Sequence, residues 1–264
     1  MTIRTLAAAG LLLLAAPLAA QDFSGLPDAL VPDRPDFTEG TSIVPVGHYQ
    51  IEGGATYARS GDAKGTSLGE LLVRIGTGER WETRLGVGSY SWIDSGVRGE
   101  DKASGYEDPF VEVKVRLTEA DPNLLAPGRP VVALVLGTSI PAGSGDLTAD
   151  EWQPAAIFAF DWDFTDRFSL GANLGYAYPA DGDERFSQGF ASVSAGFSVT
   201  DRLGVYLETY GFNKEDLDGS STQYVDTGAS WLLSNDISLD VHFGAGFDDP
   251  RPNWYFGLGG AIRF

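Results

Sequence analysis

The stretch Phe110-Val111-Glu112-Val113-Lys114-Val115-Arg116-Leu117 alternates apolar and charged side chains with a period of two. Successive side chains of a β-strand point to opposite faces of a sheet, so this stretch is predicted to be a strand with one apolar and one charged face. The same alternation recurs at 189–199 and 237–244, where apolar residues alternate with serine, aspartate, histidine and glycine. Period-two alternation dominates the chain after residue 20, which predicts an all-β protein.

Twelve segments of this kind follow one another along the chain. Their approximate limits are 48–58, 67–77, 80–92, 107–118, 129–140, 153–164, 167–178, 188–199, 202–213, 222–233, 236–247 and 253–264. The long connections between them are 59–66, 93–106, 141–152, 179–187, 214–221 and 248–252. Long loops that alternate with short turns are typical of outer-membrane barrels. We therefore predict an antiparallel transmembrane β-barrel of twelve strands with both termini in the periplasm.

The apolar face of such a barrel points outward, because lipid offers no hydrogen bonds to the backbone and only a closed sheet satisfies itself. Aromatic residues cluster near both strand ends, as in the girdles of membrane barrels. Near short turns these are Trp81, Phe164, Phe168, Trp231 and Phe264, and near long loops they are Tyr57, Trp92, Trp152, Tyr178, Phe212 and Trp254. A soluble β-sandwich or lipocalin-like barrel is the alternative, and it needs only about eight strands.

The N-terminus reads as a secretory signal peptide, with Arg4 before an apolar run that ends in small residues at Ala19 and Ala20. We expect three parts: a cleaved signal peptide at 1–20, an N-terminal periplasmic segment at 21–46 and an outer-membrane barrel at 47–264. This organisation predicts the outer membrane of a Gram-negative bacterium as the location. The terminal Phe264 resembles the signal that bacterial barrels present to their assembly machinery.

Composition narrows the function further. The 264 residues contain no cysteine, which excludes thiol catalysis and cysteine-ligated metals. Acidic residues outnumber basic ones 37 to 18, and this balance disfavours nucleic acid as a partner. We expect no cofactor. The expected partners are membrane lipid and lipopolysaccharide, the barrel-assembly machinery and a small-molecule solute. Whether the acidic loops also bind divalent cations stays open.

Two motifs precede the first strand, Asp33-Arg34-Pro35-Asp36-Phe37-Thr38-Glu39 and Val44-Pro45-Val46-Gly47-His48-Tyr49-Gln50-Ile51-Glu52. They resemble the patterns D-R-P-D-x-T-E and V-P-x-G-x-x-Q-x-E of a bacterial outer-membrane transporter family, named for a proposed link to the MetA pathway of phenol degradation. The resemblance implies an outer-membrane barrel and extends the expected solutes to aromatic or hydrophobic compounds. It carries over no catalytic residues.

The residues before the first strand have two interpretations. Pro32 and Pro35 prevent regular structure there. Asp33, Arg34 and Asp36 are candidates to pair with charges at the mouth of the lumen, which would make the segment a plug or gate. The alternative is a tether that orders the first strand during assembly.

The polar faces of the predicted strands carry many charges. The candidate lumen-lining residues are Glu70, Arg74, Glu82, Arg84, Glu112, Lys114, Arg116, Asp161, Glu208, Asp226, Asp240, His242 and Arg263. Charges inside a barrel must be paired or wet. They indicate either a polar conduit or a salt-bridged filling that closes the lumen, and twelve strands lie between filled and open barrels.

An enzymatic role is not expected. His48 and His242 are the only histidines, and both are predicted on inward strand faces. Ser238, Asp240 and His242 share a face, but side chains two apart on a strand lie about 7 Å from each other, too far for a hydrogen-bonded triad. The histidines also lack the spacing of a metal site. We expect a channel for passive passage of small molecules, with a closed structural or adhesive barrel, or a lipid-modifying enzyme, as the alternatives.

Overall fold

A computed structural model describes residues 29–97, 102–119, 129–247 and 252–264. Within these ranges the chain forms a closed antiparallel barrel of twelve strands, which confirms the predicted fold class and strand number. The predicted signal peptide at 1–20 lies outside the described residues. No helix in the described part of the chain is long and apolar enough to cross a membrane.

The barrel strands follow one another around the wall in chain order. They are β1 (Tyr49–Ser60), β2 (Ala63–Gly78), β3 (Trp81–Val87 and Tyr90–Asp94), β4 (Ala103–Tyr106 and Phe110–Arg116), β5 (Val131–Ser139), β6 (Gln153–Thr165), β7 (Phe168–Ala177), β8 (Gln188–Thr200), β9 (Leu203–Phe212), β10 (Thr222–Ser234), β11 (Ile237–Phe247) and β12 (Trp254–Arg263). Each pairs with its chain neighbours, and β12 closes the barrel on β1. The end with the short turns at 79–80, 166–167, 201–202 and 235–236 is called the turn end, and the opposite end the loop end.

Two of the predicted loops are wrong. Residues 59–66 continue the β1–β2 ladder to Ser60 and Ala63, and the turn is only Gly61-Asp62, where Gly61 takes a positive φ of 60°. Residues 93–106 likewise contain strand at both ends. Both stretches are polar, because strands that extend beyond the apolar part of the barrel can meet water on both faces. Such strands lack the apolar–polar alternation from which strands are predicted.

The outer surface of the barrel is apolar and the interior is polar. Exposed residues on the strands include Leu136, Phe158, Leu174, Leu207, Trp231, Val241 and Leu258. The predicted location of Phe212 is wrong. The sequence places it in an outer girdle, but it is 5% exposed inside the barrel. It shares the inward face of β9 with Tyr206, Glu208 and Tyr210, so the pleat of the strand decides its direction.

Residues 29–46, called the lumen segment, run inside the barrel. Leu30 packs against Leu232 and Ala261 near the turn end, and its N–H donates to the carbonyl of Asn235. The segment rises to Phe37, which joins an aromatic cluster near the loop end. It then returns to the turn end, where the N–H of Gly47 donates to the carbonyl of Gly76. The chain therefore enters and leaves the lumen through the same end.

Candidate functional site

Three cations on the wall of the barrel surround two acids of the lumen segment. Arg74, Arg84 and Lys114 are each at most 1% exposed. The Asp33 carboxylate lies 2.9 Å from Lys114 Nζ, 3.1 Å from Arg74 Nη1 and 3.3 Å from Arg84 Nη2. Glu39 lies 2.7 Å from Arg84 Nη1 and 2.8 Å from Lys114 Nζ. β2, β3 and β4 are neighbours, so the three cations form one patch that binds the lumen segment.

The pKa of Asp33 reports the strength of this patch. Burial alone would raise the pKa of the carboxyl, because the charged form loses its water. The charges of Arg74, Lys114 and Arg84 outweigh burial and hold the pKa of Asp33 below its ordinary value of 3.8. Asp33 is therefore ionised in the docked segment at neutral pH.

Two of these cations, Arg74 and Arg84, also pair with acids of the wall itself. Arg74 Nε lies 2.8 Å from Glu82 Oε1, and Arg74 Nη1 lies 3.1 Å from Glu52 Oε1. Arg84 Nη1 lies 3.2 Å from Glu112 Oε2. The wall thus contributes three bases and three acids to the cluster, and a buried cluster of this kind is stable only when its members stay paired.

Other wall carboxylates accept hydrogen bonds from the backbone of the lumen segment. An irregular segment needs such partners, because a buried peptide group left unpaired is costly. Four segment N–H groups have a carboxylate acceptor: Asp33 on Glu52 at 2.8 Å, Phe37 on Glu208 at 2.6 Å, Thr41 on Asp161 at 2.7 Å and Val44 on Glu82 at 2.7 Å. These four acids therefore hold the backbone of the segment in place.

Neutral side chains complete the attachment. The Asn173 amide donates to the carbonyl of Glu39 at 2.9 Å and accepts from its N–H at 2.6 Å, as a neighbouring strand would. Ser194 Oγ donates to Asp36 Oδ2 at 2.7 Å, and Thr38 Oγ1 donates to Ser192 Oγ at 2.8 Å.

Aromatic packing surrounds the top of the lumen segment. The Phe37 ring stacks on Tyr210 at 4.3 Å between centroids and meets Phe190 and Phe212 edge-on at 5.7 and 5.5 Å. The Tyr255 hydroxyl lies 2.9 Å from the Tyr210 hydroxyl and donates to Asp226 Oδ2 at 2.9 Å. Aromatic rings bury large areas and favour these geometries, so Phe37 is the apolar anchor of the segment.

The structure buries most of the predicted lumen-lining residues. The buried ones are Arg74, Glu82, Arg84, Lys114, Asp161, Glu208, Asp226, Asp240 and His242, and the Glu70 and Glu112 side chains are 6% and 11% exposed. The buried acids Asp33 and Asp36 and the 12% exposed Arg34 lie in the lumen segment.

Three of the residues considered in the sequence lie apart from the buried charges. Arg116 lies outside the buried cluster and pairs at 3.2 Å with half-exposed Glu119. Arg263 lies at the turn end and pairs with exposed Asp236 at 2.7 Å. His48 is exposed and precedes β1, so it is not on an inward strand face. All three lie at the rim, where the strand alternation that predicts direction ends.

Several contact residues were missed by the sequence analysis. Gln50 donates to the carbonyl of Val31 at 3.1 Å and to Glu52 at 2.8 Å. Both Gln50 and Glu52 belong to the second motif, which extends into β1, and this membership could have identified them as contact residues. Asn173, Ser192 and Ser194 carried no signal beyond an inward strand position. No group of three or more histidine, cysteine or acidic side chains in the described ranges could hold a metal ion.

The lumen segment separates two cavities. The cavity on the loop side has about 380 Å³ and its floor is made by residues 33–37 of the segment. The cavity on the turn side has about 420 Å³ and is lined by the other ends of the segment, at Ala29, Val31 and 42–45. No described residue lines both cavities, and the segment lies between them.

Comparison with known proteins identifies the family. Residues 32–264 match the profile of the family described as "Putative MetA-pathway of phenol degradation", which confirms the resemblance of residues 33–52. No curated protein matches the chain in sequence.

Solved structures share the fold. An outer membrane channel from Pseudomonas putida F1 has a TM-score of 0.65 at 11% identity, covering 85% of this chain and 98% of that one. The NanC porin has a TM-score of 0.55 at 14% identity, covering 81% and 98%. The KdgM porin in complex with disordered oligogalacturonate has a TM-score of 0.51 at 12% identity, covering 82% and 99%.

Proposed function

The chain belongs to the family of the MetA pathway of phenol degradation, and on that premise we propose that it is an outer-membrane channel closed at rest by its own lumen segment. The observation that carries the proposal is the segment itself, which lies across the lumen between two cavities. Small molecules pass when the segment leaves. The apolar outer surface and the likeness to channel and porin folds support the location in the outer membrane.

The route of the lumen segment supports a removable plug over a permanent filling. The segment enters and leaves through the turn end, so it can withdraw without threading through the wall. All of the attachments described above are noncovalent. Once it has left, Arg74 keeps Glu82 and Glu52 as partners and Arg84 keeps Glu112, whereas Lys114 loses the two acids with which it pairs. The remaining lumen is then a polar conduit lined by charges of both signs.

The loop-side cavity supports aromatic or hydrophobic compounds as the solutes, as family membership suggests. Its lining includes Phe37, Phe110, Phe186, Tyr210 and Tyr255. These rings can pack against an aromatic or apolar solute beside the charged groups of the same lining. We propose passive passage and no enzymatic turnover.

The orientation of the barrel in the membrane is part of the same proposal. Phe264 and Tyr49 exchange backbone hydrogen bonds at the turn end, so both ends of the barrel sequence lie there. Short turns face the periplasm in outer-membrane barrels, which puts both termini on the periplasmic side. Export by a cleaved peptide at 1–20 and assembly through Phe264 belong to this proposal.

Liposome swelling tests the function directly. We expect the refolded mature chain to admit amino-acid-sized solutes slowly and a variant lacking residues 22–46 to admit them at a markedly higher rate. Phenylalanine compared with leucine tests the aromatic preference, since neither crosses lipid readily. Equal, background-level swelling of both proteins would contradict the channel and favour a closed structural or adhesive barrel.

A further inference from the structure

Arg34 of the lumen segment is held by two acids of the wall, one of which, Glu70, lines the loop-side cavity. Its Nη1 lies 2.7 Å from Glu70 Oε2 and its Nη2 lies 3.4 Å from Asp240 Oδ1. Arg34, Glu70 and neighbouring His242 all line that cavity. The guanidinium therefore lies at the floor of the cavity, where a solute that enters from the loop end can meet it.

The slot around this guanidinium is shaped by missing side chains. A Cβ at Gly54 on β1 or at Gly259 on β12 would overlap the Arg34 guanidinium. The two glycines thus leave a space for a flat cationic group between the wall and the cavity. Glycine is the residue that permits such a close approach to the backbone.

The backbone at Glu70 is strained in a way that aims its carboxylate. Glu70 has a φ of 43°, in the left-handed region that non-glycine residues rarely adopt. Gly69 and Glu70 interrupt the pairing of β2 with β3, and the facing β1 register shifts between Glu52 and Gly54. Ser67 Oγ then fixes Glu70 Oε1 at 2.6 Å. Strained residues and bulges of this kind are concentrated at ligand-binding positions.

The Arg34 guanidinium makes fewer hydrogen bonds than the guanidinium of Arg74. Arg74 makes five hydrogen bonds, to Glu82, Glu52 and two carbonyls. Arg34 makes two, of which one is long, and its Nε has no partner within the described residues. Asp240 Oδ2 and His242 Nδ1, in residues that are each 7% exposed, also have no partner there. The slot is therefore built for a cation but filled by one that fits it loosely.

The charge of the cavity favours the same class of ligand. Its described lining contains twelve acidic residues and four basic ones. A cavity lined by one sign of charge concentrates ions of the opposite sign. Carboxylate pairs bind guanidinium and ammonium groups through charge-assisted hydrogen bonds.

We propose that Glu70 and Asp240 form a subsite for a small organic cation bearing a guanidinium or primary ammonium group, and that Arg34 occupies this subsite as an internal competitor in the closed channel. A solute that displaces Arg34 removes one attachment of the lumen segment and so favours opening. The opening step rests on the proposed function, whereas binding at the subsite does not.

Calorimetric binding of methylguanidinium to the refolded mature chain tests the subsite. We expect Arg34→Ala to bind it with a dissociation constant at least tenfold lower than the unaltered chain, because the competitor is gone. Arg34→Met, whose side chain still fills the slot, should show no such gain. Adding Glu70→Gln and Asp240→Asn to the Arg34→Ala chain should abolish the gain. Tetramethylammonium, which has the charge but no N–H donors, should not bind.

Several results would overturn the inference. The first is an Arg34→Ala barrel that is folded, as its heat-modifiable gel mobility shows, but gains no affinity for methylguanidinium. The second is tetramethylammonium binding as tightly as methylguanidinium. The third is binding of benzoate instead of methylguanidinium. Should Arg34→Ala fail to fold, the unaltered chain decides the question: methylguanidinium must raise its open probability several-fold above equimolar tetramethylammonium. A silent channel in every variant would sink the proposed function, while calorimetry would still decide the subsite.

Discussion

Asp33 makes more charged contacts with the wall than Arg34 or Glu39 of the same lumen segment. Three buried cations contact its carboxylate at 2.9–3.3 Å, and its own N–H is bound by Glu52. Removing one partner from a buried ion cluster typically costs about 3–5 kcal/mol, because the remaining charges stay buried without compensation. Docking of the lumen segment is therefore sensitive to a single charge.

Asp33→Asn keeps the shape of the side chain and removes that charge. We expect the lumen segment to detach for a much larger fraction of time, which appears as faster protease cleavage within residues 29–46. Asp201→Asn, in an exposed turn, is the matched control and should behave like the unaltered chain. An Asp33→Asn protein as resistant as the control would show that the ion cluster does not hold the segment.

A glycine offers a second residue-level test by shape alone. A Cβ at Gly76 would collide with the carbonyl oxygens of Pro45 and Val44, where the segment leaves the lumen. Gly76→Val should therefore weaken docking by about 1–3 kcal/mol, as overpacking does, although valine itself suits a strand.

Gly65→Val on the same strand is the control, since a Cβ there meets open space. Hydrogen exchange of residues 41–47 compares the two variants. Faster exchange is expected for Gly76→Val only, and equal rates in both would refute the steric contact.

The elements of the fold were largely predictable from sequence, but the route of the lumen segment was not. Strand alternation depends on neighbouring residues, so it locates all twelve strands and most inward positions. The contacts of the segment join residues far apart in the chain, as Arg34 and Asp240 do across 206 positions. Pattern reading thus found Asp33, Arg34 and Asp36 as candidates without their partners. The same pattern placed Phe212 on the outer face, because an aromatic residue near a strand end is compatible with either a girdle or a buried cluster.

The long loop between β5 and β6 is folded toward the lumen by a break in β4. Asp108 lies in that break and accepts hydrogen bonds from the N–H groups of Ala142, Gly143 and Ala149 at 2.7–3.0 Å. Leu147 of the same loop is 2% exposed and packs on Ile93 and Ala103. The break in the strand thus narrows the loop-side cavity.

Asp108→Ala should free this loop, since it leaves three amides without their acceptor at a cost of about 1–3 kcal/mol each. Hydrogen exchange of residues 140–149 is expected to accelerate, with the barrel strands unchanged. Asp146→Ala in the exposed part of the loop is the control. Unchanged exchange in Asp108→Ala would mean that Leu147 packing alone positions the loop.

At the scale of the whole molecule, the barrel combines an apolar outer surface with a lumen that holds a segment of its own chain. The wall could have been filled by side chains alone, as in barrels of eight strands. Twelve strands leave room for residues 29–46, and the wall is equipped with acceptors for their backbone. A closure made from a separable segment leaves a polar passage behind when it withdraws, which a filling built into the strands cannot do.

The most direct test is single-channel conductance of Thr38→Cys/Ser192→Cys in a planar bilayer. The two native hydroxyls already touch at 2.8 Å, and the chain has no other cysteine, so the pair can lock the lumen segment to β8. We predict silence in the oxidised state, transient openings after reduction, and steady conductance when residues 22–46 are deleted. An oxidised protein that conducts as freely as the deletion variant, or a deletion variant that stays silent, would contradict the plugged channel.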